Sequence, residues 1–106
     1  MIAHLVLMRL HNPDDAGLVA AQVLSLRGRV PGLAGIEGGP TVISTPSSWE
    51  LGFVMVFTDR ESTLTYQDHP VHVEIATVIR PLIQAMATCD VSTTRDALEA
   101  VVGAAA

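Results

Sequence analysis

The 106-residue sequence predicts a single α+β domain in which a four-stranded antiparallel sheet carries its helices on one face. Three observations lead there. The apolar segments follow in the order strand, helix, two strands, helix, strand. Proline and Asx residues mark the helix starts. The first and third strands are apolar on both faces, so helices account for one face only and the other needs a different cover.

"MIAHLVLMRL" is the first strand, with Ile2, His4, Val6, Met8 and Leu10 on one face and Ala3, Leu5 and Leu7 on the other. "HNPDDAG" then opens a helix, with Asn12 as cap, Pro13 at the first helical position, and Asp14 and Asp15 favoured by the positive end of the helix dipole. Val19, Val23, Leu26 and Val30 give it an apolar stripe, and Arg27 and Arg29 fall in the expected last turn. "LAGIEGGPTVIST" reads as a glycine-interrupted strand, "PSS" as a turn, and "WELGFVMVFTD" as a strong strand. A second helical region over 60–80, bent at Pro70, leads to the last strand "IQAMATCDV". The domain expected is 1–92. Residues 93–106 form a tail that becomes a short helix lying on a dimer, with Thr93 and Asp96 as a capping box and Leu98, Val101 and Val102 as its apolar stripe.

Composition narrows the function. The hydrophobic share of 49% against 16% charged residues excludes disorder, and no apolar run approaches the roughly 18 residues of a membrane span. The formal charge is -5, with six arginines, no lysine and no basic cluster, which removes the footprint expected for nucleic acid. No secretory pattern precedes the first strand and Cys89 is the single cysteine, so the location expected is the cytoplasm. Cys89, Met8, Met55 and Met86 are expected in the core.

The chemistry-bearing stretch is "TYQDHPVHVEIA", where Tyr66, His69 and His72 are spaced by three around Pro70. Helical spacing puts His72 between Ile75, Ala76 and Ile79 on the arc facing the sheet. His69, just before a proline at a helix start, suits a cap. Tyr66 enters from the preceding turn, and a packed, hydrogen-bonded role for it and for His72 stands beside a catalytic one. His4, His69 and His72 could together approach a metal. Without a thiolate cluster or a His-Glu-x-x-His pattern, however, no metal and no cofactor is expected.

His4 in an apolar first strand, "WELGFVMVFTDRESTLTYQDHPVH", and a final strand ending "CDV" resemble the stress-responsive A/B barrel (Dabb) family over residues 2–91. The resemblance implies a ferredoxin-like unit that pairs into a dimeric α/β barrel, which would give the second sheet face its cover. It implies no single reaction. A plant polyketide cyclase of the family closes a linear polyketide by an aldol reaction between helices and sheet, and its catalytic residues correspond to Tyr66, His72 and His4. An imidazole near neutral pH can take a proton beside a carbonyl while a tyrosine hydroxyl binds the carbonyl oxygen. Leu51 stands where that cyclase has a further histidine, and Val19, Ala20 and Val23 where it has pocket aromatics. The implied pocket, lined by Val6, Val19, Val23, Leu51, Phe53 and Ile75, is therefore apolar and wider toward the first helix. Two functions follow: a homodimeric, metal-free, cyclase-like enzyme acting on a polyketide or other small apolar carbonyl compound, or a non-catalytic small-molecule-binding or stress-associated dimer.

Overall fold

The computed structural model describes residues 1–103, so that part of the expected 93–106 tail, residues 104–106, lies outside the described residues. Strands β1 (Ile2–Leu10), β2 (Leu33–Pro40), β3 (Leu51–Phe57) and β4 (Ile83–Ser92) form one sheet in the order β2-β3-β1-β4, every neighbouring pair antiparallel. Helices α1 (Ala16–Leu24), α2 (Arg60–Tyr66) and α3 (Pro70–Ile79) connect the strands, and α4 (Arg95–Gly103) follows β4.

Strand alternation sorts β1 from His4 to Met8, while Ala3 is buried although it shares the face of Leu5 and Leu7. Register aligns His4 with Met55, Val6 with Phe53 and Met8 with Leu51, and all six are buried beneath the helices. Val19 and Val23 of α1, Tyr66 of α2, and Ile75 and Ile79 of α3 close the same core. The opposite face is open. There Leu5 lies between Val54 and Cys89, and Leu7 between Gly52 and Ala87, with Leu5, Leu7 and Val54 about two-fifths exposed at 38%, 45% and 42%.

Several boundaries depart from the sequence expectation. Asn12 Oδ1 accepts the Asp14 amide hydrogen bond, but it caps a short 3-10 turn over Pro13–Asp15, and α1 begins only at Ala16. That helix ends at Leu24 with Ser25 as its C-cap, and the turns that follow, one of them through Gly28 at a φ of 74°, carry Leu26 and Val30 back to the core. Arg27 is not in a helical last turn; its guanidinium donates to the Ile36 carbonyl at 2.6 Å and to Glu37 at 2.8 Å. β2 stops at Pro40, and the chain loops to Leu51 with Arg9 stacked 4.6 Å above the Trp49 ring. Gly38, at φ 146°, lets β2 approach β3 where a side chain would collide with the Gly52 carbonyl and Phe53.

The 60–80 region is two helices rather than one bent helix. Asp59 caps α2 by accepting from the Ser62 amide at 2.7 Å, and this bond holds its carboxyl below the usual carboxylate range. The chain turns at Gln67–His69 and restarts at Pro70, whose ring cannot continue a helix hydrogen-bonded through its nitrogen. At the tail, Thr94 rather than Thr93 supplies the cap, its Oγ1 accepting from the Ala97 amide, while the Thr93 amide donates to the Met1 carbonyl. α4 buries no residue. No helix among the described residues is long and apolar enough to cross a membrane.

Candidate functional site

A cavity of about 310 Å³ lies between the helices and the sheet. Its floor comes from His4, Val6 and Met8 of β1, Met55 of β3, and Met86 and Thr88 of β4; its roof comes from Tyr66 of α2 and the 72, 75, 76, 79 stripe of α3. β4 is an edge strand, and the helices do not reach over it. Met86 is therefore 57% exposed at the cavity and is not the core residue expected, while Cys89, on the open face of the same strand, is exposed rather than buried.

His4, Tyr66 and His72 are brought together. The Tyr66 ring centre lies 4.3 Å from that of His72 and 6.1 Å from that of His4, with Phe57 at 5.1 Å behind it. Tyr66 is 8% exposed, and burial pushes its phenol up to about 12, so the hydroxyl is a neutral donor. The contact it makes is long and soft, to Met55 Sδ at 3.9 Å.

Both imidazoles are held by their Nδ1 atoms. His72 Nδ1 lies 2.9 Å from the Gln67 carbonyl oxygen, and since a carbonyl only accepts, Nδ1 carries the hydrogen and Nε2 is the basic nitrogen. The α2–α3 break creates this bond, because it leaves the Gln67 carbonyl free to face the first turn of α3. His4 Nδ1 lies 2.6 Å from Asp90 Oδ1, paired across β1 and β4, so the carboxylate orients that ring in the same sense. His69 is the α3 cap, its Nδ1 accepting from the Val71 amide at 3.2 Å, and it lies off the cavity wall.

Of the expected pocket residues, Val6, Val23 and Ile75 line the cavity. Val19, Leu51 and Phe53 do not: they are 0%, 1% and 3% exposed and packed in the core, and of the three α1 residues expected to widen the pocket, Val23 is on its wall while Val19 and Ala20 are not. Two residues escaped the sequence reading. Asp90 is visible only once β4 is known to pair with β1. Arg80 lines the cavity, and its signal was present in the helical spacing of 72, 76 and 80.

The family model for the stress responsive A/B barrel domain matches residues 2–93. The chain belongs to the Dabb family. No curated protein matches this Dabb chain. Among solved structures, the fold is similar to that of a dimeric ferredoxin-like protein of unknown function from Thermobifida fusca, with a TM-score of 0.76 at 21% identity over 87% of this chain and 90% of that one. It is also similar to a Dabb family protein with a ferredoxin-like fold from Mesorhizobium loti, at TM-score 0.68 and 24% identity over 88% and 96%. A hydroxynitrile lyase from Passiflora edulis shares the fold at TM-score 0.73 and 13% identity, over 89% and 94%. The ferredoxin-like α+β class expected from the sequence is thus the fold of this Dabb domain.

Proposed function

We propose that this Dabb domain is a homodimeric, cytoplasmic enzyme that moves a proton beside the carbonyl of a small, mainly apolar molecule, with the aldol cyclisation of a polyketide-like chain as the reaction it is best equipped to run. One observation carries this reading. Two imidazoles, each with its Nδ1 hydrogen committed to an acceptor, flank the ring of one neutral tyrosine at the wall of a cavity.

In this reaction His72 Nε2 takes the proton from the carbon next to the carbonyl. The C–H electron pair moves into the carbon–carbon bond and the carbonyl pair onto oxygen, where Tyr66 donates a hydrogen bond to the enolate. The enolate carbon attacks a second carbonyl of the same molecule, forming the ring bond, and the new alkoxide takes the proton back from imidazolium. His4, its one hydrogen held by Asp90, stands on the other side of Tyr66 as a positioning residue, and the only proton moved in the cycle is the one that His72 takes and returns. No metal or cofactor has a part in these steps.

Homodimerisation is supported by the apolar rows on the open sheet face and by the dimeric state of the Thermobifida relative. The single unpaired Cys89 suits a reducing compartment. A non-catalytic ligand-binding dimer is the second reading, and the Tyr66–Met55 contact favours it, because a hydroxyl resting on a thioether is not yet aimed at an oxygen. Hydrogen–deuterium exchange of octan-2-one in heavy water separates the two. Exchange beside the carbonyl that exceeds the buffer rate and is lost in His72→Ala supports the enzyme, whereas saturable binding with no exchange above buffer leaves the binding protein.

A further inference from the structure

The one formal charge on the cavity wall, Arg80, is opposite in sign to that of the protein. The chain has a formal charge of -5, yet the wall contains Arg80 and two histidines and no carboxylate. The nearest acid of the site, Asp90, directs an oxygen to His4 Nδ1. Of the six arginines, Arg80 is the one that lines the cavity. Arg27 is engaged by Glu37 and the Ile36 carbonyl, Arg29 bonds the Ser25 carbonyl and Arg9 covers Trp49. Arg80 makes no ion pair and no side-chain hydrogen bond among the described residues. It is exposed, and so stands where the cavity meets solvent.

Position gives the Arg80 backbone a defined relation to the site. Arg80 directly follows the last residue of α3, eight residues after His72, a rise of about 12 Å along the helix axis. Between them Ile75, Ala76 and Ile79 present an apolar wall. A planar guanidinium with open donors at the rim of an apolar cleft matches a carboxylate or a phosphate, which it can take through two parallel hydrogen bonds.

We infer that Arg80 reads an anionic group at the far end of the ligand, so that the molecules this site takes have a carbonyl at one end, an apolar middle, and a carboxylate or phosphate about 12 Å away. This rests on the reading of the His4, Tyr66 and His72 cavity as a carbonyl site. The anion contributes affinity and direction: it sets which end of the molecule meets His72.

The test uses two probes of equal length that differ only in the terminal group, the anionic 9-oxodecanoate and the neutral 9-oxodecanamide, titrated into the intact protein and followed by calorimetry and by amide shifts of residues around Ile75. The expected result is binding of the keto acid about three- to tenfold tighter than the keto amide, a gap that narrows with added salt and closes in Arg80→Gln, while the keto amide binds both proteins alike. Retained folding of Arg80→Gln is checked by its unchanged amide spectrum away from the cavity. Equal affinity of the two probes for the parent protein, or a preference that survives Arg80→Gln, overturns the anion reading and leaves the carbonyl site standing. If neither probe shifts the cavity resonances, the carbonyl site itself fails and the anion reading falls with it.

Discussion

His4 and Asp90 are 86 residues apart in sequence and 2.6 Å apart in space, the imidazole Nδ1 of one strand facing the carboxylate oxygen of its neighbour. The aspartate side chain is 49% exposed while the histidine is buried, so the pair connects solvent to the cavity wall. Its value lies in orientation more than in stability, since a half-exposed pair contributes only about 1 kcal/mol or less. Asp90→Asn should therefore leave the thermal midpoint nearly unchanged but release the His4 tautomer, read from its imidazole nitrogen shifts. A tautomer ratio unaltered by the substitution would remove Asp90 from its positioning role.

Loss of the base should be the largest kinetic effect. His72→Ala is expected to lower exchange of octan-2-one by about two to four orders of magnitude, the scale of a missing general base, while leaving the oligomer intact. Tyr66→Phe should cost less, because the ring that packs on Phe57 stays and a single donor goes. The check is the rate of each variant beside its elution volume, and a Tyr66→Phe loss larger than that of His72→Ala would reverse the assigned roles.

Tyr66 is the only tyrosine, so phenolate absorbance reports it alone. Its folded value of about 12 stands above the ordinary tyrosine value of 10.0 because burial disfavours the phenolate. The sign follows from linkage: below pH 10 both states hold the proton and its contribution is complete, while between 10 and 12 only the unfolded chain gives it up, so stability falls by up to about 2 kcal/mol as pH rises through that window. A native-state absorbance transition centred near 10 would contradict the buried, neutral donor.

The open face makes its own prediction. Light scattering at micromolar concentration should give a dimer whose interface exceeds about 1,000 Å² in total. Leu5→Asp, in the row between Val54 and Cys89, should yield folded monomers. Cys89 should react with a thiol reagent slowly in the dimer and quickly in that variant, and a parent protein that is monomeric with a freely reactive Cys89 would end the dimer proposal.

The tail is proposed to dock on the same assembly. α4 leaves Val101 and Val102 about three-quarters exposed on one chain, at 75% and 74%, so a partner surface is needed to bury them. Proteolytic removal of residues 95–106 should lower the thermal midpoint by a few degrees, and an unchanged midpoint would mean that the helix docks nowhere.

What the sequence revealed and what it hid divide along physical lines. Strand and helix order were legible because caps, prolines and two-sided apolar strands are local signals, and His72 could be turned inward from its helical phase alone. The family resemblance puts Val19, Leu51 and Phe53 on the ligand, and periodicity cannot correct it, because a buried face and a cavity wall have the same pattern; which of them meets empty space depends on side-chain packing. Cys89 and Met86 were assigned to the core because edge strands carry no mark of their own. Asp90 needed the pairing of β4 with β1, a contact no local pattern encodes, whereas Arg80 was reachable by extending the His72 arc two more turns.

The pairing of β1 with β4 also orders events in time. β1 is made before, and β4 after, every other strand of this sheet, yet the two are direct neighbours and share the Met1–Thr93 hydrogen bond. Contacts of such long sequence separation form slowly. During synthesis, β1 can zip onto β3 while its other edge stays unsatisfied, and a nascent chain held at that stage exposes a backbone edge on which another copy could template. A product cut short before Ile83 would lack Asp90 and the outer wall of the cavity together, so a chain either completes its last strand or has no site to offer.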